Sequence, residues 1–179
     1  MPVLIIRPEW LELILAGEKR WEIRGARSVK QVGQVVYLAG SGTAAISGRA
    51  MLAACHGPLS KSEWTDSFQL HRVPSGEAVH PSHRRDDVRP YGIRTYAWEL
   101  SDVQWAQHPI SFARNAAVIF QNVELQSWQI AEAQFASVEP IAHRIGPPSS
   151  PPLHGHNSRW DRLQSRGSEL GSVSTNSEF

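Results

Sequence analysis

Residues 33–57 and 95–125 each carry two strand-forming runs with no helix-period segment between them. That pattern restricts the fold more than any other feature of the chain. A parallel sheet needs a crossover of a dozen or more residues, usually a helix, between most successive strands. Short strands joined by turns point instead to a mainly β fold: a small closed or partly closed barrel with short helices over its ends.

The run VLII, residues 3–6, suits a buried strand. Pro8 fits the first helical position, where its missing donor costs nothing. Trp10, Leu13 and Ile14 recur at helical spacing, and Gly17 is placed to end that helix in a left-handed cap. Residues 19–24 alternate as a strand. Gly33 precedes the apolar strand QVVYLAG, and Gly40-Ser-Gly42 is a turn. AAISGRAMLAAC, residues 44–55, reads as a strand that Gly48 bends or bulges. Residues 58–73 read as a helix, with Ser60 as N-cap and Glu63 closing a capping box. Residues 74–92 carry turn residues and charges without periodicity, as a loop does. Residues 95–106 and 116–125 are predicted strands, and residues 130–136 a short helix. No internal repeat is present.

From residue 143 onward the chain is rich in Pro, Ser, Gly and Arg, and its bulky residues are scattered. Such a segment cannot bury enough to offset its ordering entropy. The expected organisation is a domain over residues 1–142 and a disordered tail over 143–179. The whole chain has net charge +1, and the tail holds four arginines against three acids, so the domain is formally neutral. A site for nucleic acid must therefore be local. The single cysteine, Cys55, cannot form an internal disulfide and reads as a small buried apolar residue. The chain has no apolar run long enough to span a membrane and no signal-peptide pattern at its start. The expectation is a cytoplasmic protein with no membrane partner, no cofactor and no metal.

The chemistry concentrates in residues 19–30. Lys19, Arg20, Arg24, Arg27 and Lys30 stand there against one acid, Glu22. Strand alternation puts Arg20, Glu22 and Arg24 on one face and Trp21 and Ile23 on the other. Glu22 then sits between two guanidiniums, which favour its ionised form. Lys19 shares that face only if it belongs to the turn after Gly17 or if the strand is bulged. Arginine's planar fork suits phosphate and guanine, and lysine acts as a point charge.

Gly17-x-Lys19-x-x-Glu22-x-Arg24, directly after a helix that begins Arg-Pro, resembles the signature of the ASCH domain of the PUA-like superfamily. The segments at residues 33–39, 46–53, 96–100 and 118–120 resemble later strands of that family, so the likeness spans about residues 3–126. It implies a five- or six-stranded barrel with a cleft between the first helix and the barrel, lined by Lys19, Glu22 and Arg24. Family members are thought to bind RNA or nucleotides, and a few act as enzymes on RNA or modified nucleosides. The branch that deacetylates N4-acetylcytidine keeps the lysine but carries a threonine nucleophile where this chain has Glu22. A glutamate cannot take the threonine's acyl-transfer role.

The expected function is binding of RNA or a nucleotide in that cleft. Lys19, Glu22, Arg24, Arg20, Arg27 and Tyr91 are the ligand-binding candidates. A hydrolase of the same fold, with Lys19 and Glu22 in acid–base roles, is the alternative. Protein binding through the Pro-Pro pairs of the tail is the third reading.

Weaker candidates are His80 and His83 with Cys55 or His56 for a metal, without a recognisable ligand spacing. Arg84, Arg85, Arg89 and Arg94 form a second basic segment. Tyr91 and Trp98 could stack on bases, and Ser41 and Thr43 could meet a phosphate. Trp10, Trp21 and Trp105 fall on apolar faces and are expected in the core.

Overall fold

A computed structural model describes residues 1–74, 87–113 and 119–139 of the chain. The tail, His80, His83, Arg84 and Arg85 lie outside the described residues.

Strand β1 (Pro2–Ile6) leads into helix α1 (Pro8–Leu15), then β2 (Trp21–Arg24), β3 (Val35–Gly40) and β4 (Ala45–His56). Two short helices follow, α2 (Lys61–Asp66) and α3 (Phe68–His71). After them come β5 (Tyr96–Ser111), β6 (Phe120–Asn122), α4 (Ser127–Glu132) and β7 (Phe135–Ser137). The strands form one sheet in the order β2-β5-β4-β3-β1-β6, with β7 on the far part of β5. Among the described residues the path ends at β2 and β6, so the sheet is a curled half-barrel rather than a ring closed by hydrogen bonds. One pair, β1 with β3, is parallel, and α1 is the crossover that makes it possible. The architecture is the mainly β one that the turn-linked strands imply.

The sheet buries both faces along β1, which explains its uninterrupted apolar run. Leu4 and Ile6 join a core with Trp10, Ile14, Leu38, Leu52 and Trp98. Val3 and Ile5 join a second with Tyr37, Ile46, Ile110 and Phe112. Gly48 lies where the β4–β5 register shifts, and a Cβ there would come within 2.6 Å of both the Gln104 carbonyl and Leu15. The glycine lets α1 settle onto the sheet.

Several local expectations are corrected. Residues 58–73 do not form one helix: the Ser67 hydroxyl bonds back to the Glu63 carbonyl, and α2 and α3 meet there. The Ser60–Glu63 capping box is present. Of residues 130–136 only 130–132 are helical, as the end of α4. α4 begins earlier, at Ser127, and Gln134 in the left-handed region (φ 47°) turns the chain into β7. Strand β5 runs on to Ser111 because β4 and β7 both pair with its far half. Trp105 is 44% exposed rather than core. No helix among the described residues is long and apolar enough to cross a membrane.

Candidate functional site

The C-terminus of α1 decides where the charged segment goes. Gly17, with φ 75°, takes the left-handed position just past the helix. Its amide donates to the Ile14 carbonyl (3.0 Å), and the Glu18 amide donates to the Leu13 carbonyl (2.8 Å). These two bonds are the Schellman pattern, which a glycine adopts without steric cost. The Lys19 amide also returns to Leu13, at 3.1 Å. Lys19 therefore belongs to the turn and not to β2, so strand alternation does not govern it.

The consequence is an exchange of neighbours. Lys19 swings inward, 1% exposed, and its ammonium donates to the Trp21 carbonyl (2.6 Å) and the His71 carbonyl (2.8 Å). It stands 3.6 Å from Glu22 Oε2 and 5.4 Å from the centre of the Trp10 ring. Arg24 approaches Glu22 from the other side, with Nη2 3.0 Å from Oε1. The same guanidinium donates to the Ile5 carbonyl at 2.7 Å and lies 5.8 Å from the centre of the Trp98 ring. Arg20, by contrast, turns outward and pairs with Glu99 at 3.4 Å. The structure thus brings Lys19, Glu22 and Arg24 together and leaves Arg20 apart.

This array is buried, with Glu22 4% exposed and the Arg24 side chain 11%. Two of its polar atoms, Glu22 Oε2 and Arg24 Nε, have no hydrogen-bond partner among the described residues. Buried polar atoms normally find a partner, so each such atom demands a reason. Tyr91 stands close to the array. Burial raises the pKa of its phenol; Arg24 and Arg7 oppose the rise, and the charge of Glu22 adds to it. The Tyr91 ring also packs on Gly25, where a Cβ would come within 2.7 Å of it. Arg27 and Lys30 are exposed on the segment after β2.

Other candidates have structural work. Trp98 is buried, donates to the Ala26 carbonyl at 3.0 Å and stacks on Phe120, so its faces are not open to a base. Arg89 is buried rather than solvated. It pairs with Asp87 and donates to the Leu59 carbonyl at 2.6 Å. That hydrogen-bonded partner holds the Asp87 carboxyl at about 2, below the ordinary carboxylate value. Thr43 closes its own turn on the Gly40 carbonyl at 2.9 Å. Cys55 is half-buried against the core. No group of three or more metal-ligating side chains occurs among the described residues.

Sequence reasoning missed His71, Trp10 and Arg7 as neighbours of the array. His71 is buried against Trp64 with ring centres 3.7 Å apart. Its Nδ1 accepts from the Val73 amide (3.0 Å), so Nε2 carries the proton towards the Trp64 carbonyl (2.8 Å). Burial above all lowers its pKa to about 4. Only the Arg-Pro start of α1 was a usable signal, and it pointed to Arg7 alone.

The ASCH domain family model matches residues 4–112. The chain belongs to the ASCH domain family. No curated protein matches this ASCH domain. Among solved structures it is similar to two single-substitution variants of the ASCH protein of Zymomonas mobilis. They are 15% and 14% identical, with TM-scores of 0.53 and 0.54; the match covers 73% of this chain and 92% and 94% of theirs. The ASCH structure from Zymomonas mobilis without such a substitution is 18% identical (TM-score 0.50), covering 77% of this chain and 97% of its own. At these identities the likeness establishes the fold alone, that of an ASCH domain.

Proposed function

We propose that this ASCH domain binds RNA, or a nucleotide, through a cleft between α1 and the sheet in which Lys19, Glu22, Arg24 and Tyr91 meet the ligand. The observation that carries the reading is that two atoms of one ion pair, Glu22 Oε2 as acceptor and Arg24 Nε as donor, have no hydrogen-bond partner among the described residues. A nucleobase edge presents a donor beside an acceptor, the complement of that pair. Two cations on one carboxylate leave the array positive, which suits a phosphate. Arg27 and Lys30 extend positive charge along the exposed segment beyond it. Arg20, held on Glu99, would act at longer range.

Binding is favoured over hydrolysis by the state of Lys19. Its ammonium is engaged by two carbonyls and faces a carboxylate, a setting for a fixed positive charge rather than a proton acceptor. A cytoplasmic location and a domain boundary near residue 142 belong to the same reading.

The test uses the full chain and a labelled single-stranded RNA, with affinity measured against salt. Arg27→Ala and Lys30→Ala should each lower the slope of log K on log salt by about 0.7. Arg24→Gln should weaken binding more than tenfold while the protein still melts cooperatively. Unchanged RNA affinity in a folded Arg24→Gln protein would refute the proposal. Turnover of RNA that stops in Glu22→Gln would favour the hydrolase. Binding lost on removal of residues 143–179 alone would assign it to the tail.

A further inference from the structure

A groove of about 580 Å³ opens beside the C-terminal end of α1, and it shares no residue with the charged array. Leu15, Ala106 and Val138 give it an apolar wall, and Ser47 and Ser137 add hydroxyls. Its volume lies in the range of ligand sites. Trp105 and Glu139 complete the lining, and Glu139 is the one charged residue in it.

Trp105 is an unusual surface residue. It pairs across the sheet with Gly48 on β4 and Ala136 on β7. Neither neighbour is large enough to cover an indole, which is why the ring stays 44% exposed. The nearest cation on these strands, Arg49, is committed elsewhere: it donates to Gln104 at 2.6 Å and lies over Phe135 at 4.3 Å. Among the described residues the groove therefore offers an open aromatic ring and an acid, with no cation of its own. That combination attracts a positive group and repels phosphate.

The rim suggests how such a group arrives. β7 pairs with β5 along one edge among the described residues. The ladder bonds Val138 N to Val103 O and Gln107 N to Gln134 O fix its alternation. By that alternation the main-chain groups of Phe135 and Ser137 point away from β5. An extended chain can continue the sheet there. Val138 is packed closely against the end of α1: a Cβ on Gly17 would lie 2.9 Å from its side chain.

We propose that this groove docks an extended segment of a partner protein and seats one arginine or lysine side chain against Trp105 and Glu139. The contact is separate from the RNA cleft.

The test follows the indole N–H resonance of Trp105 in the full-length chain by NMR. The probe is acetyl-Ala-Val-Arg-Val-Ala-amide. Its glutamate counterpart, argininamide alone and a uridine hexanucleotide are titrated in parallel. The arginine peptide should shift the Trp105 resonance to saturation. Glu139→Gln should weaken it at least fivefold. In Trp105→Ala, followed instead by the backbone amide resonance of Val138 in the same groove, the peptide should no longer bind, with an unchanged melting temperature. Equal shifts from the glutamate peptide or from the RNA would overturn the proposal. So would argininamide binding as tightly as the peptide, because the site would then take a free cation, or no shift at millimolar peptide.

Discussion

Arg24 Nη2 lies 3.0 Å from Glu22 Oε1, inside a protein where both side chains are largely shielded from water. The pair stays incomplete, because Glu22 Oε2 and Arg24 Nε have no hydrogen-bond partner among the described residues. A buried ion pair of this kind need not add net stability, but removing one partner strands the other. Glu22→Gln should therefore lower unfolding stability by about 3 kcal/mol, since Lys19 and Arg24 would face each other without a counter-charge. Urea unfolding of parent and variant measures the difference. A variant as stable as the parent would show that the carboxylate contributes nothing to the fold.

Backbone crowding makes a second prediction at two glycines of neighbouring strands. A Cβ at Gly48 would come within 2.6 Å of the Gln104 carbonyl, a backbone atom that cannot swing aside. At Gly40 the nearest atoms, both of Thr43, would stand at 3.4 Å. Gly48→Ala should cost about 2 kcal/mol or more, as overpacked positions do. Gly40→Ala should cost less than about 1 kcal/mol, the scale of a tolerated core change. Thermal unfolding of both variants tests the contrast, and equal losses would contradict it.

These sites show how far the sequence was legible. Gly17, Gly48 and the Ser60–Glu63 box act locally, and each does what its residue type implies. The neighbours of Lys19 could be read only as a condition, because a turn residue follows the helix cap while a strand residue follows the pleat. What lay beyond reach depends on distant chain. Trp105 looked like core by alternation, yet its exposure is set by the glycine and alanine across the sheet. Trp98 looked available for stacking, yet the Ala26 carbonyl and Phe120 occupy it. Strand β7 is three residues long and exists because β5 offers it an edge. The site itself was half legible: three of its charged members stand in one motif, while His71 reaches it from a separate helix.

Loss of the α2 cap should be measurable by itself. The Ser60 side chain accepts from the Glu63 amide at 3.2 Å, and the Glu63 carboxylate accepts from the Ser60 amide at 2.7 Å. Ser60→Ala should cost about 1 kcal/mol. α2 carries Trp64, the ring stacked on His71, so the loss should appear in global unfolding rather than as local fraying. Hydrogen exchange at residues 61–66 distinguishes the two outcomes.

His71 sets the acid limit of stability. Its pKa is about 4 in the folded protein against an ordinary 6.5, because burial disfavours the charged ring and the Lys19 ammonium adds to the penalty. The bond to the Trp64 carbonyl opposes both without cancelling them. Between these values the unfolded chain binds a proton that the folded chain refuses. Stability is therefore complete above pH 6.5, falls as pH drops towards 4, and levels off below that for this group. The loss is on the order of 3 kcal/mol. Asp87 acts below that window, since its contribution is lost as pH falls from the ordinary carboxylate value of 3.8 towards about 2. Urea unfolding from pH 7.5 to 3.5 should show the slope, and His71→Gln should flatten it between pH 6.5 and 4 while lowering stability at neutral pH. A slope that survives the substitution would place the acid sensitivity in the carboxylates and not in this histidine.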